Sequence, residues 1–179
     1  MKTYIALLRG INVSGKNIIK MDALKTFFLN LEFENVQTYI QSGNVIFSTN
    51  KNDSHLQLAD LISDKIKETF ELNVPVLVLE KNELKTILNQ LPFTDFDEKN
   101  MYFTFLNQTS KITDYSKILE KKSASEKIQI SDKVVYLDCT IGYGNTKLSN
   151  NFIEKQLDVL CTTRNLKTCK KLLELANTI

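Results

Sequence analysis

The sequence predicts an α+β fold with antiparallel sheets: a ferredoxin-like β-α-β-β-α-β lobe over residues 1–80, and a second, related α+β lobe with C-terminal helices over residues 81–179. Three observations predict it. Apolar stretches of strand length and stretches of helical period follow one another as strand, helix, strand, strand, helix, strand before residue 80. Much of that order recurs after it. The chain has only five glycines and two prolines and no loop-rich linker, so the two halves are joined directly.

Tyr4-Ile5-Ala6-Leu7-Leu8 is an almost unbroken apolar run, as in a strand covered on both faces. Met21, Leu24, Phe27, Phe28 and Leu31 then recur at helical spacing and form the core stripe of an amphipathic helix. Val36 to Ile40 and Val45 to Thr49 are rich in β-formers and flank Gln41-Ser42-Gly43-Asn44, which reads as a hairpin. Ser54 is a good N-cap for a helix with Leu58, Ala59, Ile62, Ile66 and Phe70 on one side. Val74 to Leu79 reads as a strand, and its early Pro75 suits a strand start or an edge.

The second half continues with a helix from Asn82 to Leu91, a strand from Met101 to Leu106 and a helix near Thr113 to Lys121. Strands Lys127–Ile130 and Val134–Asp138 are joined by a polar turn, and a helix runs through Phe152, Ile153, Leu157 and Leu160. No closing strand is evident. Thr162-Thr163-Arg164-Asn165 instead leads into a last helix with Leu166, Cys169, Leu172, Leu173 and Ala176 on its core side.

A chain of 179 residues, 42% hydrophobic and 25% charged, can bury a proper core without staples. Its 23 basic and 21 acidic residues are too evenly balanced to imply a polyanion partner from bulk charge, so a nucleic-acid site would have to be a local patch. The N-terminus lacks the apolar core of a signal peptide and no run has the ~20 apolar residues of a membrane span. We therefore expect a cytoplasmic protein with no membrane partner. Cys139, Cys161 and Cys169 sit in apolar patterns without Cys-x-x-Cys spacing and read as core thiols. The one histidine, His55, lies among polar residues at a helix start and reads as solvated. One histidine and no clustered cysteines leave no zinc site, and no metal is expected.

Four polar stretches are not explained by packing. Leu8-Arg9-Gly10-Ile11-Asn12-Val13-Ser14-Gly15-Lys16-Asn17 follows the first strand and matches G-x-x-x-x-G-K. Asn17 then stands where a phosphate-binding P-loop needs Ser or Thr, the helix starts too late, and the sheet is not parallel, so a nucleoside triphosphatase is disfavoured. What remains is a loop whose glycines let backbone amides approach an anion, with Arg9 offering a planar fork and Lys16 a point charge. Alternatively the loop only turns the chain. Gln41-Ser42-Gly43-Asn44 precedes the third strand, which in a ferredoxin-like sheet lies antiparallel beside the first. That topology brings it next to Arg9-Gly10-Ile11-Asn12. Gly142-Tyr143-Gly144-Asn145-Thr146-Lys147-Leu148-Ser149 and Thr162-Thr163-Arg164-Asn165 read as helix caps, Ser149 or Asn150 for one and Thr163 or Asn165 for the other. Arg164 is left over, because a cation in a helix's first turn opposes the macrodipole. An RNA-recognition sheet would need stacking aromatics that Gly43-Asn44-Val45-Ile46-Phe47 lacks.

These stretches, with Thr38-Tyr39-Ile40-Gln41-Ser42-Gly43-Asn44-Val45-Ile46-Phe47, resemble the bacterial domain-of-unknown-function family 1697 over nearly the whole chain. The resemblance implies a small cytoplasmic α+β protein with ferredoxin-like elements and supplies no activity or catalytic residue. Ser14, where glycine is commoner in that family, is a departure without consequence if its backbone conformation is ordinary.

The expected site is therefore one for a small phosphorylated or carboxylated ligand. Arg9, Lys16 and Arg164 would neutralise it, Asn12, Ser42 and Asn44 would orient it, and Gly10, Gly15 and Gly43 would let the backbone come close. The alternatives are a nucleic-acid-associated protein that contacts phosphates through its basic loops, and a structural or interaction protein without a ligand. Catalytic residues, cofactor and oligomeric state do not follow from the sequence.

Overall fold

The unbroken apolar run after Met1 forms β1 (Lys2–Leu8), whose residues from Tyr4 onward are all buried. In the computed structural model, which describes residues 1–179, it is followed by α1 (Met21–Asn30), β2 (Glu34–Tyr39), β3 (Asn44–Thr49), α2 (His55–Phe70), β4 (Val76–Glu80) and α3 (Lys81–Asn89). Then come β5 (Met101–Leu106), α4 (Ser116–Lys121), β6 (Lys127–Ile130), β7 (Val134–Asp138), α5 (Asn150–Leu157), β8 (Cys161–Asn165) and α6 (Leu166–Ala176). The chain is thus α+β, with two four-stranded antiparallel sheets and six helices. It divides into two units, Met1–Thr86 together with Lys171–Ile179, and Ile87–Lys170. The division falls inside α3, and the last residues go with the first unit, whereas the sequence pattern suggests a single break after residue 80.

In the first unit the strand order is β2-β3-β1-β4, every pair antiparallel, with β1 and β3 central. One face of β1 carries Tyr4, Ala6 and Leu8, which cluster with Leu24, Phe27 and Phe28 of α1 and with Leu58, Ile62 and Ile66 of α2. Both helices therefore share one side of the sheet. Phe33 and Phe47 add a close aromatic contact in this core, their ring centroids 4.4 Å apart. The opposite face, with Ile5, Leu7, Ile46, Leu77 and Leu79, is buried too, which is why the strand shows no polar alternation. Helix α2 starts as its sequence predicts: the Ser54 hydroxyl accepts from Gln57 N, and the Gln57 side chain accepts from Ser54 N, a capping box.

The second unit has the order β6-β7-β5-β8, again antiparallel throughout. Its core joins Leu106, Val135 and Leu137 to Ile118 of α4 and to Ile153 and Leu157 of α5. Two expectations are corrected here. A closing strand exists, because Cys161–Asn165 pairs with β5 from Leu106 to Tyr102. Helix α5 also ends at Leu157, short of Leu160, since Asp158 turns left-handed at φ 53° and its N–H donates to Glu154 O. The closing strand is hidden in the sequence by its polar residues, which suit an edge strand and also mimic a capping cluster.

Candidate functional site

The loop after β1 is a miniature hairpin. Asn12 N donates to Asn17 O (3.1 Å) and Lys16 N to Val13 O (2.9 Å), and Val13 and Lys16 form an antiparallel bridge. The two residues at its tip, Ser14 and Gly15, have φ 49° and 75°, the pair of positive values that a type I′ turn requires. Ser14 is therefore not in an ordinary conformation, and its departure from glycine carries strain. Asn17 Nδ2 closes the base of the hairpin by donating to Gly10 O (3.0 Å).

Asn12 fixes this hairpin to the rest of the unit. Its Nδ2 donates to Ile19 O (2.9 Å) and Gln41 O (3.0 Å), while its Oδ1 accepts from Ile19 N (2.9 Å). The second loop is fastened directly to β1, as Leu8 N donates to Gly43 O at 2.7 Å. A Cβ on Gly43 would stand 2.7 Å from Leu8 Cβ and 2.9 Å from Leu8 O, so the two chains touch there and no side chain fits. Asn44, fully buried, donates from Nδ2 to Tyr39 O (3.1 Å) and Ser42 Oγ (2.9 Å). Arg9 N donates to Pro75 O (2.9 Å), which ties the hairpin's start to the chain entering β4.

Eight of the nine residues expected to form a site thus sort by role. Gly43, Asn12 and Asn44 hold the loops in place, with Ser42 accepting one of the Asn44 bonds. Gly15 shapes the hairpin tip. Lys16 is exposed there, Arg9 is half-buried, and Gly10 is exposed. The backbone N–H groups of Gly10, Ser14 and Gly15 donate to no acceptor within the protein. Residues 3–21 contain the cations Arg9, Lys16 and Lys20 and no acid, and residues 35–50 contain no charge of either sign. Three aliphatic side chains that the sequence reading passed over are exposed around the same loops, Val13 (55%), Ile18 (64%) and Ile40 (50%). Strand β3 is buried along its length, so it offers no open face on which bases could stack.

Arg164 belongs to the second unit and lies in β8, opposite Phe103 of β5, not in a helix's first turn. The expected conflict with a macrodipole is thereby removed. Its Nη1 donates to Thr162 Oγ1 (3.0 Å) and Thr163 O (2.9 Å). Burial lowers its pKa to about 10, and the Cys169 thiol and the Tyr143 hydroxyl, as anions, act in the opposite sense. The capping readings hold nearby: Ser149 Oγ accepts from Phe152 N at the start of α5, and Asn165 Oδ1 from Thr168 N at the start of α6. Thr163 Oγ1 donates to Asn150 Oδ1 (2.6 Å), so the 2.7 Å contact between Thr104 and Thr163 hydroxyls has Thr104 as donor. Tyr143, from the glycine loop before α5, stacks on Tyr102 at 4.7 Å.

His55 is more enclosed than its polar neighbours suggest. Its Nδ1 lies 3.3 Å from Glu83 Oε2 and its ring meets Tyr4 edge-on. All three cysteines are buried and unbridged. No group of three or more His, Cys, Asp or Glu side chains is placed to hold a metal ion, and no helix is long and apolar enough to cross a membrane.

A family model described as a protein of unknown function, DUF1697, matches residues 1–136, which take in the hairpin, the Gln41–Asn44 loop and both central strands of the first sheet. The chain belongs to the DUF1697 family. A solved structure, that of the conserved bacterial protein SP0830 from Streptococcus pneumoniae, is 25% identical over 98% of this chain and 98% of that one, with a TM-score of 0.66. None of the curated proteins matches the sequence.

Proposed function

We propose that the first unit of this DUF1697 protein binds an anionic group, a phosphate or a carboxylate, at the hairpin of residues 9–17. The observation that supports this best is the set of unspent amides at Gly10, Ser14 and Gly15 beside the exposed Lys16. Ser14 and Gly15 both have positive φ, and their adjacent amides lie together in the turn, an arrangement suited to receiving an anion. Lys16 supplies charge at the tip, with Arg9 at the hairpin's start, and neither loop contains an acid in its own sequence. Asn12, Gly43 and Asn44 act by holding the geometry, with Ser42, rather than by touching the ligand. Arg164 lies in the other unit and is not part of this proposal.

The test is a thermal-shift series with inorganic phosphate, pyrophosphate, citrate and short oligonucleotides on the wild type and on Lys16→Ala. An anion at ten times its Kd should stabilise by about 1.4 kcal/mol, roughly 3–6 °C for a chain of this size. Lys16→Ala should keep the unliganded melting point and lose most of the shift. A shift confined to oligonucleotides and steeply salt-dependent would point to the nucleic-acid alternative instead. No shift with any anion, or an equal one in Lys16→Ala, overturns the proposal.

A further inference from the structure

Val13, Ile18 and Ile40 are exposed, and each adjoins one of the three points tied together by the Asn12 side chain: Val13 follows Asn12, Ile18 precedes Ile19, and Ile40 precedes Gln41. The amide thus fixes, at one hub, the backbone beside three exposed aliphatic residues. All three are β-branched, so they have little rotamer freedom to lose when a partner covers them. Ile40 also sits at φ 48°, a conformation in which a β-branched residue is a true outlier and asparagine or glycine would be relaxed. That strain gains nothing in the core, since half of Ile40 faces solvent. It is explained if an aliphatic side chain is needed there for contact.

Charge narrows the partner. Lys16 and Lys20 are exposed on the same loop, and neither residues 3–21 nor residues 35–50 contain an acid. These two segments are therefore basic and aliphatic, and their complement is acidic and aliphatic. The hairpin's shape is a knob: a Cβ placed on Gly10 or Gly15 meets nothing within 4 Å. A bilayer could also receive a basic knob, but interfacial anchors use Trp, Phe or Leu, and a fluid membrane gains nothing from a hub pinned by three hydrogen bonds. A solid partner does.

We infer that the anion recognised at the hairpin is carried by another protein, as an acidic segment bearing aliphatic side chains that cover Val13, Ile18 and Ile40 while its carboxylates meet Lys16 and Lys20. This rests on the anion-binding reading above and adds the apolar half of the ligand. The test is selection of peptides from a random displayed library on the full-length protein, with the selected peptides then measured against variants. Ile40→Asn relieves the strained backbone and Ile18→Ser changes an exposed residue, so both should fold. Expected are peptides rich in Asp, Glu, Leu, Ile and Val whose affinity falls about tenfold in either variant and about as much in Lys16→Ala. The phosphate-induced thermal shift should survive in Ile18→Ser and Ile40→Asn.

Failure to enrich such peptides, or binding indifferent to Ile18 and Ile40, overturns the inference. If the phosphate shift persists in that case, anion binding stands and only the protein partner falls; if the shift is absent as well, both fall. Binding to phosphatidylglycerol vesicles alone would assign the knob to a lipid surface. A concentration-dependent dimer lost in Ile18→Ser would assign it to a second copy of the chain. Either result overturns the inference.

Discussion

Gly43 shows most sharply how one residue can serve two loops. Its φ of 75° is left-handed, and a Cβ there would press on both the side chain and the carbonyl of Leu8. Gly43→Ala combines conformational strain with backbone overpacking and should cost about 2–4 kcal/mol, measured as a lowered midpoint in urea at unchanged slope. An alanine variant as stable as the wild type would mean that β1 yields, and with it the close join of the two loops. The need for glycine at this position was legible, because Ser-Gly-Asn between two β-rich runs is turn chemistry. The reason for it was not, since Leu8 is far away in sequence and only the antiparallel pairing of β1 with β3 brings it alongside. Ser14 shows the converse failure. Gly10 and Gly15-Lys16 resemble a phosphate loop, and that pattern masks Ser14-Gly15 as the central pair of a two-residue turn.

At the scale of elements, the hairpin depends on Asn12. Replacing it with alanine removes two donated bonds and leaves the Ile19 N–H without its acceptor, beside a buried Ile19 side chain. The expected loss is about 2–4 kcal/mol, with hydrogen exchange at the Ile19 amide rising well beyond what global destabilisation accounts for. An Ile19 amide as protected as before would show that the loop is held by something other than this side chain. Elements governed by local rules could be read directly: the Ser54 capping box starts α2, and the aromatic stripe of α1 faces the core. Strand β8 could not, because Cys-Thr-Thr-Arg-Asn has no apolar run and earns its place only by pairing with β5. Its alternation is nevertheless present, with Cys161 packed in the helix-side core and Arg164 opposite Phe103. With β8 included, the second unit repeats the full strand–helix–strand–strand–helix–strand order of the first.

For the molecule as a whole, the buried thiols give a stability signature that neither the strand order nor the hairpin supplies. Burial raises the pKa values of Cys139 and Cys169 from an ordinary 9.0 to about 12, and Glu126 and Asp138 add to the effect at Cys139. An unfolded chain releases these two protons near pH 9, while the folded chain holds them. The stabilisation is therefore complete below pH 9 and is lost as pH climbs from 9 towards 12. Each thiol should contribute a slope of up to about 1.4 kcal/mol per pH unit in that window. Burial also raises Tyr4 and Tyr136 above their ordinary 10.0, so their own alkaline losses begin only above pH 10. Denaturant titrations between pH 9 and 10 therefore avoid most of the tyrosine effect, while Arg164, whose folded pKa burial lowers to about 10, adds a smaller slope of opposite sign towards the upper end of the interval. The double variant Cys139→Ala, Cys169→Ala should be less stable at pH 7, because it leaves cavities, and yet show a flatter pH dependence in this interval. If the slope were the same in the variant and the wild type, the thiols would already be ionised in the folded state, and their burial would have to be incomplete.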